Sequence, residues 1–380
     1  MTMESIFWIS VILVIYPYAV YPFVVRLWAA LRPHPVRRAP IDPVVSVLIP
    51  AYNEADCIAA TVEKMLQQSY PRERLDILVV SDGSDDGTDD IVRSFADRGV
   101  RLLRQEGRGG KALALNAAVR HARGDIVVFC DANARFEPDA VEQMVANFAD
   151  PDVGYVTGHL TLSSSGQSSG AGGSAYLRYE NALRTAETGV GSIIGVNGGV
   201  DAIRRELYSD IPRELITDFV LPLRVIAAGK RVVYDPRVRS TEDANSEMSS
   251  EFRMRVRVAL RALQGLVHMS RLLNPLKYPA AAFCLLSHKV LRYAGFIFLV
   301  TAFLSNAWLA TRSDLYLGLL CLHLLCYVLA LVGLSGVWSS WFRRATTVPT
   351  YLLVTQAAFA VAAFKFLRGQ SMATWKPRAG

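Results

Sequence analysis

The segment ILVVSDGSDDGTDDIV, residues 77–92, decides the fold, because four β-favouring apolar residues run directly into an acidic turn and then into a helix start. From Asp82 it reads D-x-S-x-D-G, close to the opening of a helix-loop-helix calcium loop. Such a loop needs a preceding helix and a bidentate Glu at its last position, where this chain has Arg93. The segment therefore predicts a buried strand that ends in a ligand crevice at the carboxyl edge of a parallel sheet.

Strand-like and helix-like segments alternate on both sides of this turn. The predicted strands are residues 44–49, 77–80, 100–103, 126–130 and 153–156, and the predicted helices are 55–68, 111–121 and 138–148. This alternation is typical of βαβ units, whose right-handed crossovers place the carboxyl ends of the strands at one edge of the sheet. We therefore expect an α/β domain with a mostly parallel sheet over residues 42–250.

Polar residues follow the predicted strands at that edge. The candidate ligand-binding residues are Pro50, Ala51, Tyr52, Asn53 and Glu54 after the first strand, Asp82 after the second, Lys111 after the third, and Asp131 with Asn133 after the fourth. A lysine at a helix start behind a glycine loop favours phosphate, and acidic strand ends favour a metal ion. An ATP P-loop is excluded, because Gln105 and Ala112 stand where that motif needs Gly and Ser or Thr.

Long apolar segments flank the α/β region. Residues 6–25 carry no charge, and at about 1.5 Å per residue they are long enough to cross a hydrocarbon core of roughly 30 Å. Three further apolar runs occupy residues 293–311, 315–342 and 345–364. Arginines follow the first segment while only Glu4 precedes it, so the positive-inside rule places the α/β domain in the cytoplasm. We expect a multi-pass protein of the inner membrane, and the side on which its tail lies is left open.

The distribution of apolar and charged residues predicts how the chain outside the α/β domain is organised. We expect an anchor with a basic linker over residues 1–41, amphipathic interfacial helices over 251–292, transmembrane helices over 293–367 and a tail over 368–380. Residues 163–175 are rich in Ser and Gly and are predicted to be mobile, either as a plain linker or as a loop over the substrate.

The net charge of +7 favours a lipid bilayer as the partner, because it lies mostly beside the apolar segments. We expect no nucleic acid, since aromatic and basic residues are not interleaved in the way that nucleic-acid binding requires. The five cysteines include no CxxC pair, which argues against a disulfide framework or a zinc site.

Five segments, in order, resemble the processive, membrane-integrated family 2 glycosyltransferases, which include the cellulose, hyaluronan, chitin-oligosaccharide and poly-N-acetylglucosamine synthases. They read VSVLIPAYNEADCI (45–58), VVSDGSDDGT (79–88), GRGGKALALN (107–116), FCDANARFEPDA (129–140) and ITDFVLPLRV (216–225). Each motif alone is weak, and their order and spacing give the resemblance its weight. It implies a GT-A-type, Rossmann-like domain between transmembrane helices, which transfers a sugar with inversion and needs a metal ion.

The resemblance implies a role for each motif at the donor. The residues from Pro50 to Glu54, with Asp82, bind the uridine of a UDP-sugar, and Lys111 lies at the pyrophosphate. Asp131 and Asn133 correspond to the D-x-D pair that holds Mn²⁺ or Mg²⁺ against the diphosphate. Because Asn133 offers an amide oxygen in place of a carboxylate, we expect weak metal binding without nucleotide.

The acceptor side follows from two later motifs. Asp218 corresponds to the catalytic base, which takes the proton of the acceptor hydroxyl as that hydroxyl attacks the anomeric carbon. Asn197, Gly198 and Thr217 are expected at the sugar and acceptor pocket. The simpler alternatives are a plain turn at residues 197–199 and a helix cap at Thr217 and Asp218.

The chain departs from the family's Q-x-x-R-W motif, which processive members carry beyond the base. Met254, Arg257 and Val258 occupy the Gln, Arg and Trp places. Arg257 is expected at the diphosphate, but Val258 cannot stack on an acceptor sugar, so short products are expected. Arg253, Arg257 and Arg261 share a helical face, and we expect Arg257 to point inward and the other two to face lipid headgroups.

The sequence thus predicts a glycosyltransferase that uses a UDP-sugar and either a growing cell-surface glycan or a lipid-linked acceptor. Two alternatives are transfer of a single sugar to polyprenyl phosphate and a catalytically inactive subunit for glycan export. The presence of Lys111, Asp131 and Asp218 argues against the inactive subunit. The sugar, the linkage and the oligomeric state are left open.

Overall fold

One mixed sheet organises the chain between residues 45 and 243. The computed structural model describes residues 2–163, 170–243, 248–335 and 340–370. Its strands are β1 (Val45–Ala51), β2 (Leu75–Ser81), β3 (Val100–Arg104), β4 (Ile126–Cys130), β5 (Arg135–Phe136), β6 (Val153–Ser163), β7 (Val200–Arg204) and β8 (Arg231–Asp243). They lie side by side in the order β3-β2-β1-β4-β7-β6-β8-β5. The five predicted strands and the mostly parallel sheet are confirmed.

Helices cover both faces of this sheet and continue beyond it. They are α1 (Met3–Ile15), α2 (Val20–Leu31), α3 (Ile58–Leu66), α4 (Thr88–Arg93), α5 (Lys111–His121), α6 (Ala140–Val145), α7 (Gly170–Val190), α8 (Thr217–Ala227), α9 (Met248–His268), α10 (Pro279–Leu285), α11 (Leu291–Tyr293), α12 (Gly295–Ala310), α13 (Asp314–Leu334) and α14 (Ser340–Leu367). A π-helical turn, Leu286–Val290, joins α10 to α11. The three helices predicted inside the α/β domain correspond to α3, α5 and α6.

The central strands are apolar along their whole length because both of their faces are buried. All seven residues of β1 are buried, and β1 pairs in parallel with β2 from Val45 and Leu75 to Ala51 and Ser81. β4 lies parallel to β1 on its other side. The residues that follow Ala51, Ser81 and Cys130 therefore come together at one edge.

β7 brings a distant part of the chain to this same edge. It runs antiparallel to β4, and its first residue, Val200, pairs with Cys130, the last residue of β4. The turn at residues 197–199, which precedes β7, must therefore arrive beside Asp131, which follows β4. Spacing along the sequence does not predict this contact, because it depends on the direction of β7.

The predicted N-terminal anchor is not one continuous helix. α1 and α2 are bent by 54° to each other, and the break contains Pro17. Proline lacks the backbone amide that would continue the hydrogen bonding of the helix. The free carbonyl of Pro17 accepts hydrogen bonds from Tyr179 and Arg292, so the break is held by polar contacts.

Apolar helices lie at both ends of the described chain. Asp314–Leu334 and Ala345–Leu367 are each long and apolar enough to cross a membrane, and there are up to four such spans if each bent pair of helices counts as one. The second bent pair joins Pro279–Tyr293 to Gly295–Ala310 at 58°, so the predicted span at residues 293–311 begins two residues later, after a bend.

Some predictions fall partly outside the described residues. Of the segment predicted to be mobile, residues 164–169 lie outside, whereas the part from Gly170 onward begins α7 and is therefore helical. Residues 336–339, inside the predicted span 315–342, also lie outside the described residues. Most of the predicted tail, residues 371–380, does so as well.

Candidate active site

The acidic turn after β2 holds the neighbouring loops together. Both carboxylate oxygens of Asp82 accept backbone hydrogen bonds, from Gly109 and Gly110 at 2.7 Å each. The side-chain amide of Asn53 donates to the carboxylate of Asp85 at 2.7 Å, and the backbone amide of Asp85 donates to the side-chain oxygen of Asn53 at 3.0 Å. Among the described residues no group of three or more His, Cys, Asp or Glu side chains is placed to hold a metal ion. The calcium interpretation is excluded here too, since these carboxylates bind the protein's own amides.

Asp82 therefore holds the glycine loop that precedes Lys111. Its side chain is buried, and a loop of small residues can wrap around it because Gly109 and Gly110 present their amides without side chains. The predicted contact between Asp82 and the nucleotide base stays a prediction. In this structure its two oxygens are already occupied by the loop.

The end of β1 forms a second wall of the same crevice. The guanidinium of Arg108 lies over the ring of Tyr52, 3.8 Å from its centroid, so a cation covers the face on which a base would stack. Asn53 has a left-handed backbone with φ of 53°, a conformation that Asn tolerates better than most residues. The amide of Glu54 donates to Thr88 at the start of α4.

Lys111 and Asp131 form an ion pair at the centre of the crevice. Lys111 is the first residue of α5, and Asp131 directly follows β4. Burial by itself would lower the pKa of Lys111, but the carboxylates of Asp131 and Asp218 outweigh that effect and raise the pKa above its ordinary value. Lys111 therefore stays charged at any physiological pH, as a binding group for phosphate must.

The turn at residues 197–199 closes over the two acidic residues. A methyl group added to Gly199 would lie 2.6 Å from the carboxyl carbon of Asp131, and φ of 82° at this position also favours glycine. Gly198 lies in the same way against Asp218. Neither position has room for a side chain. Asn197 turns away from the crevice, and its side-chain amide donates to the carbonyl of Gly158 at 2.8 Å.

Asp218 lies at the start of α8, in a small cavity that Lys111, Gly198, Gly199 and Thr217 also line. Its Oδ1 atom is buried and has no hydrogen-bond partner in the described part of the chain. Burial raises the pKa of Asp218, and nearby Asp131 adds to this, while Lys111 and Arg261 oppose it. A carboxylate with a free oxygen and a raised pKa is suited to accept a proton.

Asp201 is a further acidic residue that lines this cavity, and the sequence motifs did not identify it. It lies in β7, buried, and it accepts hydrogen bonds from the Tyr155 hydroxyl and from the amide of Gly199. Burial raises its pKa to about 8, with the Tyr155 hydrogen bond and Lys111 opposing the rise. An aspartate between apolar residues in the strand VDAIR is the pattern that could have identified it, because a buried carboxyl group needs a structural or chemical reason.

The arginines of α9 are arranged differently from the prediction. Arg261 donates to the carbonyls of Glu214 and Leu215, in the segment just before α8, so it faces the protein and not lipid headgroups. Its side chain faces inward because those carbonyls lie beyond the end of any strand and need donors. Arg253 is exposed and Arg257 is partly buried one turn before Arg261, and their predicted contacts with lipid headgroups and with the diphosphate stay predictions. Val258 is 42% exposed and does not line the cavity.

The other predicted site residues lie around this cavity. Pro50 and Ala51 end β1, and Asn133 is partly buried two residues after Asp131. The structure thus brings Lys111, Asp131, Thr217 and Asp218 together. The residues around Tyr52, whose predicted role in binding the base stays a prediction, lie beside the glycine loop at the same edge of the sheet.

Comparisons with known proteins agree with this geometry. Residues 46–211 match the model of glycosyl transferase family 2. The chain is 30% identical over 141 residues to glycosyltransferase AglE of Haloferax volcanii, covering 37% of this chain and 45% of that protein. It is 28% identical over 202 residues to a poly-β-1,6-N-acetyl-D-glucosamine synthase of Staphylococcus aureus, covering 50% of this chain and 48% of the synthase. The chain thus spans about half the length of these curated relatives.

A solved structure resembles the chain over nearly its whole length. It is a mannosyltransferase from Pyrobaculum calidifontis in complex with GDP-Man and Mn²⁺, and it is 27% identical with a TM-score of 0.75. The similarity covers 97% of this chain and 100% of that one, so it includes the apolar helices as well as the sheet. Residues 46–211 are therefore similar to glycosyl transferase family 2, and the fold is of the GT-A type, accompanied by C-terminal helices that are long and apolar enough to cross a membrane.

Proposed function

We propose that this protein transfers a sugar, with inversion, from a nucleoside diphosphate sugar to a glycan acceptor that is carried on a lipid or at the cell surface. One observation carries the proposal: Lys111 and Asp218 line one cavity, and Asp131, an acidic strand end, forms an ion pair with Lys111 beside it. Lys111 is a cation suited to phosphate, and Asp218 is a carboxylate with a free oxygen. A catalytically inactive export subunit would have no need to keep all three.

Asp218 acts as the general base in this proposal. Its unpaired Oδ1 accepts the proton of the acceptor hydroxyl while the oxygen of that hydroxyl attacks the anomeric carbon. The bond between that carbon and the diphosphate breaks on the opposite face, so one displacement inverts the configuration. Lys111 binds the departing diphosphate and stabilises the negative charge that grows on it.

The residues present fit a divalent metal ion that is shared with the donor. The side chain of Asp131 is 32% exposed, and the lack of a side chain at Gly199 leaves room for its carboxylate. Asp131 with the amide oxygen of Asn133 would hold Mn²⁺ or Mg²⁺, and the ion would supply positive charge at the diphosphate. With so few protein ligands, most of its coordination has to come from phosphate oxygens and water.

The nucleotide of the donor sugar can be proposed in two ways, as UDP or as GDP. The motifs favour UDP, by resemblance to the polysaccharide synthases. The similarity over the whole chain favours GDP, because the mannosyltransferase structure holds GDP-Man. We propose a guanine nucleotide, since that similarity covers the complete chain, whereas the synthase covers half of it.

We also propose the arrangement in the membrane that composition predicts. The domain at residues 42–250 faces the cytoplasm, helices at residues 251–292 lie at the interface, and the spans at residues 1–41 and 293–367 hold the protein in the inner membrane. The exposure of Val258 supports single or few additions to a lipid-linked acceptor, because no aromatic platform stands at that place.

Donor hydrolysis by the purified protein tests the proposed function. The protein is incubated with GDP-mannose, UDP-glucose and UDP-N-acetylglucosamine, and release of the nucleoside diphosphate is followed with Mn²⁺ and with EDTA. We expect release from GDP-mannose, its loss in EDTA and its recovery with Mn²⁺ or Mg²⁺. Asp131→Ala should not recover. Full activity in EDTA would contradict the metal assignment, and absence of release from all three donors would contradict the function.

A further inference from the structure

Arg108 lies in the glycine loop between β3 and α5, and the backbone of this loop is held on both sides of it. A methyl group added to Gly83 would lie 3.4 Å from the carbonyl carbon of Gly107 and 3.5 Å from the amide nitrogen of Arg108, so the loop packs closely on the turn after β2. The two residues that follow Arg108 donate their amides to Asp82 at 2.7 Å each. Because this backbone is already fixed, a ligand that binds the side chain of Arg108 does not have to order the loop.

The guanidinium of Arg108 keeps one nitrogen without an acceptor. Its Cζ lies 3.8 Å from the centroid of the Tyr52 ring, and its Nη2 is buried with no hydrogen-bond partner in the described part of the chain. Most buried polar atoms in proteins are hydrogen-bonded, and an unpaired charged donor is destabilising. Arg104, at the end of β3, is paired by contrast with the carboxylate of Asp89 and the carbonyl of Ser84. Arg108 can therefore donate to an acceptor that a ligand brings.

The acidic turn after β2 offers less to a base than its composition indicates. Both oxygens of Asp82 accept amide protons of the loop, and the side chain is buried. Asp85 accepts from the side chain of Asn53, and Asp86 accepts from the amide of Ala55. Uracil presents its N3–H donor between two carbonyl oxygens, so a site for uracil needs an acceptor as well as donors. These three carboxylates are already engaged, whereas the guanidinium offers donors only.

A side chain with donors only distinguishes the bases by their acceptors. Guanine presents O6 and N7 side by side, and both accept hydrogen bonds. Their spacing matches two parallel N–H groups of a guanidinium, which makes this the commonest specific contact between arginine and a base. Adenine replaces O6 by an amino group, which is a donor and faces the guanidinium unfavourably. An arginine beside the base therefore selects guanine over adenine and uracil.

We propose that Arg108 is the specificity-determining residue of the donor site. Its guanidinium donates to O6 and N7 of a guanine base that lies beside Tyr52. This inference rests on the proposed function and adds to it the residue that selects the base. Arg108 contacts the base alone, so the chemical step stays with Lys111 and Asp218.

The test compares nucleotides that differ at the atoms read by Arg108. GDP, 7-deaza-GDP, in which a C–H group replaces N7, and UDP are titrated into the purified protein by calorimetry with Mn²⁺. We expect wild type to bind GDP about tenfold or more tightly than each of the other two, within the range of one bidentate contact. Arg108→Met has an unbranched side chain without donors. This variant should bind GDP and 7-deaza-GDP with affinities within about twofold of each other, and its affinity for UDP should stay close to that of wild type.

Two further variants separate base recognition from charge. Arg108→Lys keeps the positive charge but lacks the planar fork, so it should bind UDP as wild type does and lose the discrimination at N7. Arg123→Met removes an exposed arginine just before β4 and should leave all three affinities unchanged.

Three results would overturn the inference. They are equal affinities of wild type for GDP and 7-deaza-GDP, the same ratio of these affinities in wild type and Arg108→Met, and an equal loss of GDP and UDP binding in Arg108→Met, which would assign the side chain to the diphosphate. Tighter binding of UDP than of GDP, with release of UDP from a UDP-sugar, would overturn this inference and leave the proposed sugar transfer standing. Failure of the proposed function itself is read separately, as no release from any donor.

Discussion

At the scale of single residues, Asp218 and Asp201 lie in the same cavity with different surroundings. Asp218 keeps one carboxylate oxygen free, whereas Asp201 is engaged by Tyr155 and by the amide of Gly199. Two buried carboxyl groups with different partners can hold different protonation states at one pH. We therefore assign proton acceptance to Asp218, and to Asp201 the positioning of the glycine turn.

Replacing the base should abolish transfer and spare the binding of nucleotide. We expect Asp218→Asn to lower turnover by about 100-fold or more, the range of general-base contributions, because the amide cannot take the proton of the acceptor hydroxyl. Affinity for the nucleoside diphosphate should stay within about twofold, since Asp218 lies on the acceptor side. Calorimetry with nucleotide and a turnover assay measure the two quantities. Substantial remaining turnover would remove Asp218 from this role.

Asp201 should make stability depend on pH. Its folded-state pKa, about 8, lies above that of an unfolded aspartate, so the folded protein holds a proton that the unfolded chain releases. The stabilisation is complete below the unfolded pKa, and it is lost as pH rises through about 8. Asp201→Asn mimics the protonated form of the side chain, so this variant should keep the stabilisation as the pH rises.

The measurement compares melting temperatures in detergent at pH 5.5 and pH 8.5. The advantage of Asp201→Asn over wild type should grow by roughly 2–4 °C or more toward the higher pH. Asp97→Asn, on the exposed surface, is the control and should show a constant difference. A constant difference for Asp201→Asn as well would show that the carboxyl group is ionised throughout.

Site residues could be placed together from the sequence where each of them follows the end of a parallel strand. Lys111 and Asp131 follow parallel strands, so their meeting could be predicted, and the structure pairs them. Asp201 could not be found in this way, because it approaches from an antiparallel strand and belongs to no motif. The hydrogen bonds from Gly109 and Gly110 to the carboxylate of Asp82 could not be predicted either. A motif indicates the type of residue at a position but not the partner of each carboxylate oxygen.

At the scale of elements, α9 connects the membrane-side helices to the catalytic base. α9 packs along α14 through Val256, Ala259 and Leu260, and Arg261 holds the segment that leads into α8. The amphipathic pattern of α9 was read correctly from the sequence, but its periodicity could not show which polar side chain turns inward. Similarly, the apolar run at residues 6–25 predicted a span but not the 54° break within it.

Loosening the contact between α9 and α8 should slow turnover without weakening donor binding. We expect Arg261→Gln to lower kcat by roughly tenfold, because a small displacement of Asp218 misaligns proton transfer. The donor KM should change little. Arg253→Gln, on the exposed side of the same helix, is the matched control. A rise in donor KM with unchanged kcat would instead place Arg261 at the diphosphate.

At the scale of the whole molecule, the catalytic sheet and the apolar helices share contacts close to the cavity. Glu180 and Glu187 of α7 bind His288 and Arg292, and the same α7 packs on α2. The sheet domain and the helix that carries His288 and Arg292 are therefore held together by buried polar contacts. The composition of the sequence could predict the sheet domain and the apolar helices. It could not predict the contacts between them, because the residues that form these contacts are far apart in the sequence.

Product length is the property that this architecture should limit. Val258 offers no stacking surface, and an aromatic platform contributes on the order of 1 kcal/mol beyond its area. We expect short products or single additions that are released between cycles. The experiment labels the first turnovers, adds excess unlabelled donor and sizes the labelled product. Labelled chains that grow into long polymer under this chase would show processive synthesis and would mean that another aromatic residue supplies the platform.

The ion pair between Lys111 and Asp131 has a thermodynamic consequence for the whole cycle. While the two side chains bind each other, Asp131 competes with phosphate for Lys111, and Lys111 competes with the metal ion for Asp131. An anion that recruits Lys111 frees Asp131 for a cation, and by reciprocity the cation must raise the affinity for the anion by the same factor. The unliganded protein should therefore bind phosphate alone or metal alone weakly. It should bind the two tightly only when both are present.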